Sequence, residues 1–495
     1  MSVIDLAVHR GNATADRRHT TSTVTDLSPA QSSGVAALRR WLDGVAPDGD
    51  LQGVVTVLNR QVALIDRLLN DQVNAILHHP EFQRLEGRWR ALEFLTRRER
   101  NEGGPSVKIK ILDVTWSELG RDLDRAIDFD QSELFRKIYE GEFGSPGGEP
   151  FGALIGDYDV HLQPQPGTQY DDLDVLKSIA GVAAAAFCPF FANASPEMLG
   201  LSDFAGLQQT LDHADHLRRH WKWQSLRAQE DARFVGLVLP RVLMRLPYKA
   251  DRVRVDGFSF SEDVGESRPD NFLWGGAVFA LASVILRAFE IAGWPANIRG
   301  VQRGVEGGGL VCGLPADEAG TDGQGVAPKY VTDVVITDQL EKQLGDLGFI
   351  PLCHCHDAPY AAFYSLPSVQ KPRSMDRSAA NTNARMSSLI PYMLCVSRFA
   401  HYVKVIARDR VGSVSPDQLE TVLQEWLMRY VVNDDNAPTQ TKARNPLREA
   451  RVQIVPKPGA AGAYRCIIHL VPHYELDDMA VKVRLTTEIT SPRAR

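Results

Sequence analysis

Much of what would announce an enzyme is missing from this sequence. No glycine in it is followed by lysine, so the phosphate-cradling loop that ends in Gly-Lys-Ser/Thr cannot form. No Gly-x-Ser-x-Gly elbow occurs. Gly307, Gly308, Gly309 and Gly313 crowd together but lack the dinucleotide-binding spacing, and no strong strand pattern precedes them. They read as an exposed loop over 304–328, carrying acidic Asp317, Glu318 and Asp322. Cysteine is scarce: six in 495 residues (188, 312, 353, 355, 395, 466), too few for a disulfide framework, which predicts reduced thiols. Basic charge is not in excess; a net charge of −7 argues against a nucleic-acid binder. The first twenty residues lack the apolar core of an export signal, and a cytoplasmic location is expected. The longest uncharged run, 178–196, is alanine-rich and broken by Pro189, so it predicts a buried helix and no membrane insertion.

What is present is ordinary globular material, 44% hydrophobic and 24% charged, long enough for two or three domains. Residues 1–32 are polar and read as a disordered tail. A short amphipathic stretch follows, with Val35, Leu38, Trp41 and Leu42 on one side; it is either a packed edge helix or a handle for another protein. Over 54–100 the pattern is strongly helical. Leu58, Val62, Ile65, Leu69, Val73 and Ile76 recur at spacings of three and four, a single stripe that must bury in a core or against another chain's helix. His79-Pro80 breaks the helix, because proline disfavours the helical conformation in the residue before it. Phe82, Leu85, Trp89, Leu92 and Leu95 then rebuild a stripe. Beyond Gly103-Gly104-Pro105, residues 107–114 alternate and predict a strand.

The middle of the chain alternates strand and helix patterns, with apolar helices over 175–187 and 277–292, which predicts a mixed α/β or α+β domain. Ser415-Pro416-Asp417-Gln418 opens a helix: serine caps, proline fits the first helical position and glutamine reaches back. The C-terminus predicts a hairpin. Tyr464, Cys466, Ile468 and Leu470 mark one strand; Met479, Val481, Val483 and Leu485 mark the other. A lone hairpin is marginal in water, so it joins a larger sheet of its own chain or takes strands from neighbours.

The candidate chemistry is thin. Cys353, His354, Cys355, His356 and Asp357 are zinc-ligand types, but a strand splits them between two faces and neither face carries paired ligands at Cys-x-x-Cys spacing. Asp231 with Arg233 reads as charge at a strand's end, Gln370-Lys371-Pro372-Arg373 as a solvated basic turn, and His401 beside Tyr402 as a core histidine on an apolar helix over 385–408. No catalytic residue, cofactor or metal is expected.

The stretch 348–412 organises the chain, and it also carries a family resemblance. PYAAFYSLPSVQKPR and NARMSSLIPYMLCVSRFAHYVKVIARDRVGS resemble the large subunit of the type VI secretion contractile sheath, the TssC/VipB family. NAILHHPEFQRLEGRWRAL, PFGALIGDY, LPRVLMRLPY, IRGVQRGVEGGGLVCGLP, ITDQLEKQLGDLGFIPL and the tail KARNPLREARVQIV…HLVPHYELDDMAVKVRL continue it in order from about Leu64 to Glu488. The region before about residue 50 shows no such match.

The resemblance implies a non-enzymatic, mechanical protein. Family members pair with a smaller sheath subunit (TssB/VipA), stack with other copies of themselves into a helical tube around the inner tube of Hcp, and abut a baseplate. Contraction drives the inner tube outward, and the AAA+ unfoldase ClpV dismantles the spent sheath. The implied fold is α+β, with a core like that of contractile phage-tail sheaths. The implied division is 1–50 as a variable tail, 51–102 as a helical arm against the small subunit, 103–347 as a middle domain and 348–495 as a C-terminal sheath core. The arm contact falls on the stripe from Leu58 to Ile76. The terminal hairpin, through Tyr464, Cys466, Ile468, Leu470, Val481, Val483 and Leu485, is expected to exchange strands with neighbours, and a proline at Val483 to abolish tubes. Val35, Leu38 and Leu42 are the candidates here for the unfoldase handle. The alternatives are a metal-dependent hydrolase built on 353–357 and a non-polymerising coiled-coil interaction module.

Overall fold

The computed structural model describes residues 51–97, 105–145, 147–208, 213–250, 258–265, 271–301, 306–318, 329–355, 360–373, 378–410, 415–434, 436–456, 463–473 and 483–490, together with Ala36, Ala37, Arg40, Trp41 and Gly44. It divides into two compact units, Met1–Asn74 with Ala250–Phe260, and Ala75–Lys249 with Ser261–Arg495.

The first unit is dominated by helix α1 (Leu51–Leu77). The helix halts at the expected point: His79 is extended (φ −69°, ψ 128°), its side chain accepts from the Glu81 amide, and α2 (Pro80–Thr96) begins with proline at its first position. In the second unit α2 docks through small residues, burying Gly87, Ala91 and Leu95. The stripe foreseen there is therefore not one face: Leu95 goes inward, whereas Phe82, Leu85 and Trp89 stay exposed. A buried ionic clasp holds this helix. Arg245 donates from Nε to Glu86 (2.8 Å) and from Nη1 to Glu262 (2.6 Å), and it stacks on the Tyr248 ring.

Residues 107–114 do not form a strand, contrary to their pattern. The segment leads into α3 (Trp116–Arg125), whose N-terminus is fixed by a capping box between Thr115 and Glu118. The reason for the missing strand is where the segment is held. Lys108 pairs with Glu149 (2.6 Å), and Lys110 pairs with Glu142 and lies over the Phe151 ring. The lysine tips are thus tethered to the protein while Ile109, Ile111 and Leu112 stay exposed, Ile111 by 71%. Among the described residues no strand pairs with it.

The core of the second unit is a four-stranded parallel sheet in the order β1 (Leu154–Val160), β2 (Phe190–Ala194), β3 (Val235–Leu239), β4 (Phe349–Pro351), with helix α4 (Asp172–Ala186) crossing from β1 to β2. Strand side chains alternate between faces, so both faces of an apolar strand must be covered. Phe190, Ala192, Leu237, Leu239 and Phe349 pack in one cluster with α4; Phe191, Val238 and Ile350 pack in the other with α5 (Val278–Ala292). Gly276 stands before α5 because a β-carbon there would fall 2.1 Å from the Asn193 side chain, whose Oδ1 accepts from the Val278 amide and so caps the helix. The boundary expected at 347/348 falls inside this sheet, since β4 belongs with β1–β3.

Helix α6 (Ile390–Arg410) lies within the organising stretch and is buried along most of its length. His401 is 1% exposed, and its Nε2 lies 2.9 Å from the Ala186 carbonyl, closing the C-terminal end of α4. Burial lowers its pKa to about 3, so it is a neutral donor in the core, as its apolar setting predicts.

Helix α7 (Pro416–Met428) starts with the foreseen cap: Ser415 and Gln418 form the reciprocal box and Pro416 sits in the first turn. Its apolar face, Leu419, Leu423 and Leu427, packs into the core with Val452, Cys466 and Ile468. Trp426 and Tyr430 join an aromatic cluster with Trp294 and Phe399, the last two stacked 4.1 Å apart. These rings tie the C-terminal elements to the core as one body. The expected hairpin is a three-stranded antiparallel sheet, β5 (Leu447–Pro456), β6 (Ala463–Pro472) and β7 (Val483–Thr490).

Candidate assembly interface

Among the described residues, two surfaces stand out as candidates for an interface. The first is α1. Leu58, Val62, Ile65, Leu69 and Ile76 are all exposed, Val62 and Ile65 by 53% and 54%, and Val73 is half-buried. From Val55 to Leu69 they follow the alternating three-and-four spacing of a coiled-coil seam, which slips by one residue at Val73. Each such side chain gains roughly 1.5–3 kcal/mol when fully buried. A 27-residue helix with its apolar stripe in water is a candidate binding surface.

The second surface is the C-terminal sheet, whose two edges are unlike. On β5, Glu420 and Gln424 of α7 act as backbone substitutes. Gln424 accepts from the Val452 amide (2.9 Å) and donates to the Ala450 carbonyl (3.1 Å), while Glu420 accepts from the Ile454 amide (2.7 Å). That edge is sealed. It also reveals the phase of the ladder. In antiparallel pairs, alternate residues turn both backbone groups the same way. Residues 450, 452 and 454 face out, so 451, 453 and 455 bond to β6. In β6, residues 464, 466, 468 and 470 then bond across to 489, 487, 485 and 483. The outward groups of β7 are those of Arg484, Thr486, Glu488 and Thr490. Among the described residues they meet no backbone partner, although α6 passes near β7.

The residues singled out for strand exchange therefore divide. Tyr464, Cys466, Ile468 and Leu470 lie on the central strand, flanked on both sides, and the last three are buried under α7. Val483 and Leu485 lie on the open strand, with backbone groups turned inward toward β6. Val481 falls outside the described residues, as do Val35, Leu38 and Leu42. Sequence reasoning passed over β5, although Ala450, Val452 and Ile454 alternate with polar neighbours. Glu420 and Gln424 gave no local signal; only the packing of α7 on β5 shows their task.

The chemical alternative finds no support. Cys353 and His354 form a short strand against Ala361–Ala362; His356 and Asp357 lie outside the described residues. Burial pushes the Cys353 thiol up to about 12 and raises that of Cys355, which opposes the thiolate a zinc site needs. Among the described residues no three ligand-type side chains converge. None of the described helices is long and apolar enough to cross a membrane.

The profile described as "EvpB/VC_A0108, tail sheath N-terminal domain" matches residues 59–370, and that described as "EvpB/VC_A0108, tail sheath gpW/gp25-like domain" matches 379–489. The type VI secretion system sheath protein TssC1 of Pseudomonas aeruginosa PAO1 is 37% identical over 438 residues, covering 87% of this chain and 86% of that protein. A chain of the anti-feeding prophage baseplate, seen by cryo-electron microscopy, aligns over 79% of this chain and 80% of its own at 11% identity; its TM-score of 0.31 is too low to bear on the fold.

Proposed function

The chain belongs to the TssC/VipB family of type VI secretion sheath proteins, and from that premise we propose that it is the structural large subunit of a contractile sheath. It pairs with the small sheath subunit (TssB/VipA) and polymerises in the cytoplasm, from a baseplate, into a helical tube around an inner tube of Hcp. Contraction of that lattice drives the inner tube outward for effector delivery, and ClpV resets it. The chain itself performs no chemistry: with no nucleotide-binding loop it stores work only in how its copies are arranged. The exposed stripe of α1 takes a helix of the small subunit.

One observation carries this reading: the C-terminal sheet is sealed on one edge by Glu420 and Gln424 and has no described partner on the other. A strand added there gains backbone bonds to Arg484, Thr486, Glu488 and Thr490, each contributing roughly 1 kcal/mol net. Such a link rotates as a rigid body without parting, which a lattice that changes angle requires. Co-expression with the small subunit and negative-stain imaging tests the proposal. Tubes are expected; a monodisperse chain that ignores the small subunit contradicts it.

A further inference from the structure

We propose that the segment 107–113 is a second strand-addition site, filled by an extended strand of the small sheath subunit; this rests on the pairing with that subunit proposed above. The segment has β-branched residues at Val107, Ile109 and Ile111, in strand alternation. Its backbone amides and carbonyls nevertheless meet no partner among the described residues. It is held in place. The Val114 carbonyl accepts from the Tyr158 hydroxyl (2.7 Å), the Thr115 capping box fixes one end, and Lys108 and Lys110 tether it to Glu149 and Glu142. These ion pairs are exposed enough to contribute little stability; their effect is to hold the segment extended along the surface. The outcome is a segment anchored by its lysine tips yet open to solvent at Ile109, Ile111 and Leu112, beside a backbone with no described partner. An alternating apolar strand is what such a surface recognises, through main-chain bonds and a shared apolar face.

Charge decides against a second copy of the same segment. Antiparallel self-pairing that sets Ile109 against Ile111 places Lys110 opposite Lys110, and like charges directly opposite are destabilising. The registers that separate the lysines set Asp113 against Ile109 or Ile111, and a slip of one residue turns lysines onto the isoleucine face. A strand of different sequence is required, neutral or acidic opposite the lysines and apolar opposite the isoleucines.

The test is amide hydrogen exchange across 107–113, in the full chain alone and in tubes co-assembled with the small subunit, together with Ile111→Lys. Exchange is expected to slow at least roughly tenfold in the tubes. Ile111→Lys is expected to weaken capture of the small subunit at least about tenfold and to leave the melting temperature of the chain alone unmoved, because the side chain is already solvent-exposed. Tubes in which 107–113 exchanges as fast as in the free chain overturn the inference and leave the sheath reading intact. Slow exchange in the chain alone also overturns it, by showing that the segment pairs with itself or its own fold. If no tubes form, both readings fall.

Discussion

The ladder phase of the C-terminal sheet makes a prediction that turns on a single residue step. Thr486→Pro removes an amide that points to the open edge, and proline is tolerated on an edge strand when its missing donor faces solvent. Its effect on the chain's own stability is expected to stay within about 0.5 kcal/mol. For an incoming strand, the donor is lost and the ring holds the flanking positions apart. Two or three bonds at roughly 1 kcal/mol each are forfeited, about 30- to 150-fold per junction. Leu485→Pro does the reverse. The Leu485 amide faces Ile468, a residue 1% exposed, so its loss strands a buried carbonyl and costs about 1–3 kcal/mol of folding. Val483, the sequence-based choice for such a proline, has the same inward phase and tests folding, not assembly. The assay is a thermal melt of each variant beside pelleting and negative stain of each co-assembled pair. Normal tubes from Thr486→Pro, or equal melting losses at 485 and 486, would refute the assigned phase.

Leu58→Asp with Ile65→Asp on the exposed stripe of α1 is expected to leave the melt within about 0.5 kcal/mol and to abolish co-purification with the small subunit; retained co-purification removes α1 from that interface. Arg245→Met leaves Glu86 to Arg90 at 3.4 Å and Glu262 to the Tyr248 amide and His78, and a loss of up to about 3–5 kcal/mol is expected in chemical denaturation. His401 titrates near 6.5 when unfolded and near 3 when folded. The unfolded chain therefore takes up a proton that the folded chain refuses, so stability falls as pH drops from 6.5 toward 3, by up to about 1.4 kcal/mol per unit. His401→Gln, which keeps a donor for the Ala186 carbonyl, is expected to flatten that acid limb relative to the parent, and an unchanged slope excludes His401 as its source.

Where structure follows from local chemistry, the sequence was readable. The His79-Pro80 break and the Ser415–Gln418 capping box appear where their residue types demand, because a cap is satisfied within one turn. The α1 stripe was equally plain, yet spacing alone does not say whether its partner is internal, and the structure leaves it bare. The strand misread at 107–114 failed for a related reason. Alternation predicts readiness to pair, while Glu142 and Glu149, more than thirty residues from their lysines, tether the segment where no described strand lies beside it. The terminal hairpin became a three-stranded sheet because β5, between a polar linker and a turn, was overlooked. Long-range side-chain work, such as Arg245 between Glu86 and Glu262 or Gln424 on the edge of β5, leaves no trace in local pattern.

The most direct measurement is a cryo-electron microscopy map of tubes formed with the small subunit, read at the outer edge of Val483–Thr490. A strand from a neighbouring subunit, bonded to the backbones of Arg484, Thr486 and Glu488, is the predicted result. An edge left in solvent, or closed by the chain's own residues, contradicts it.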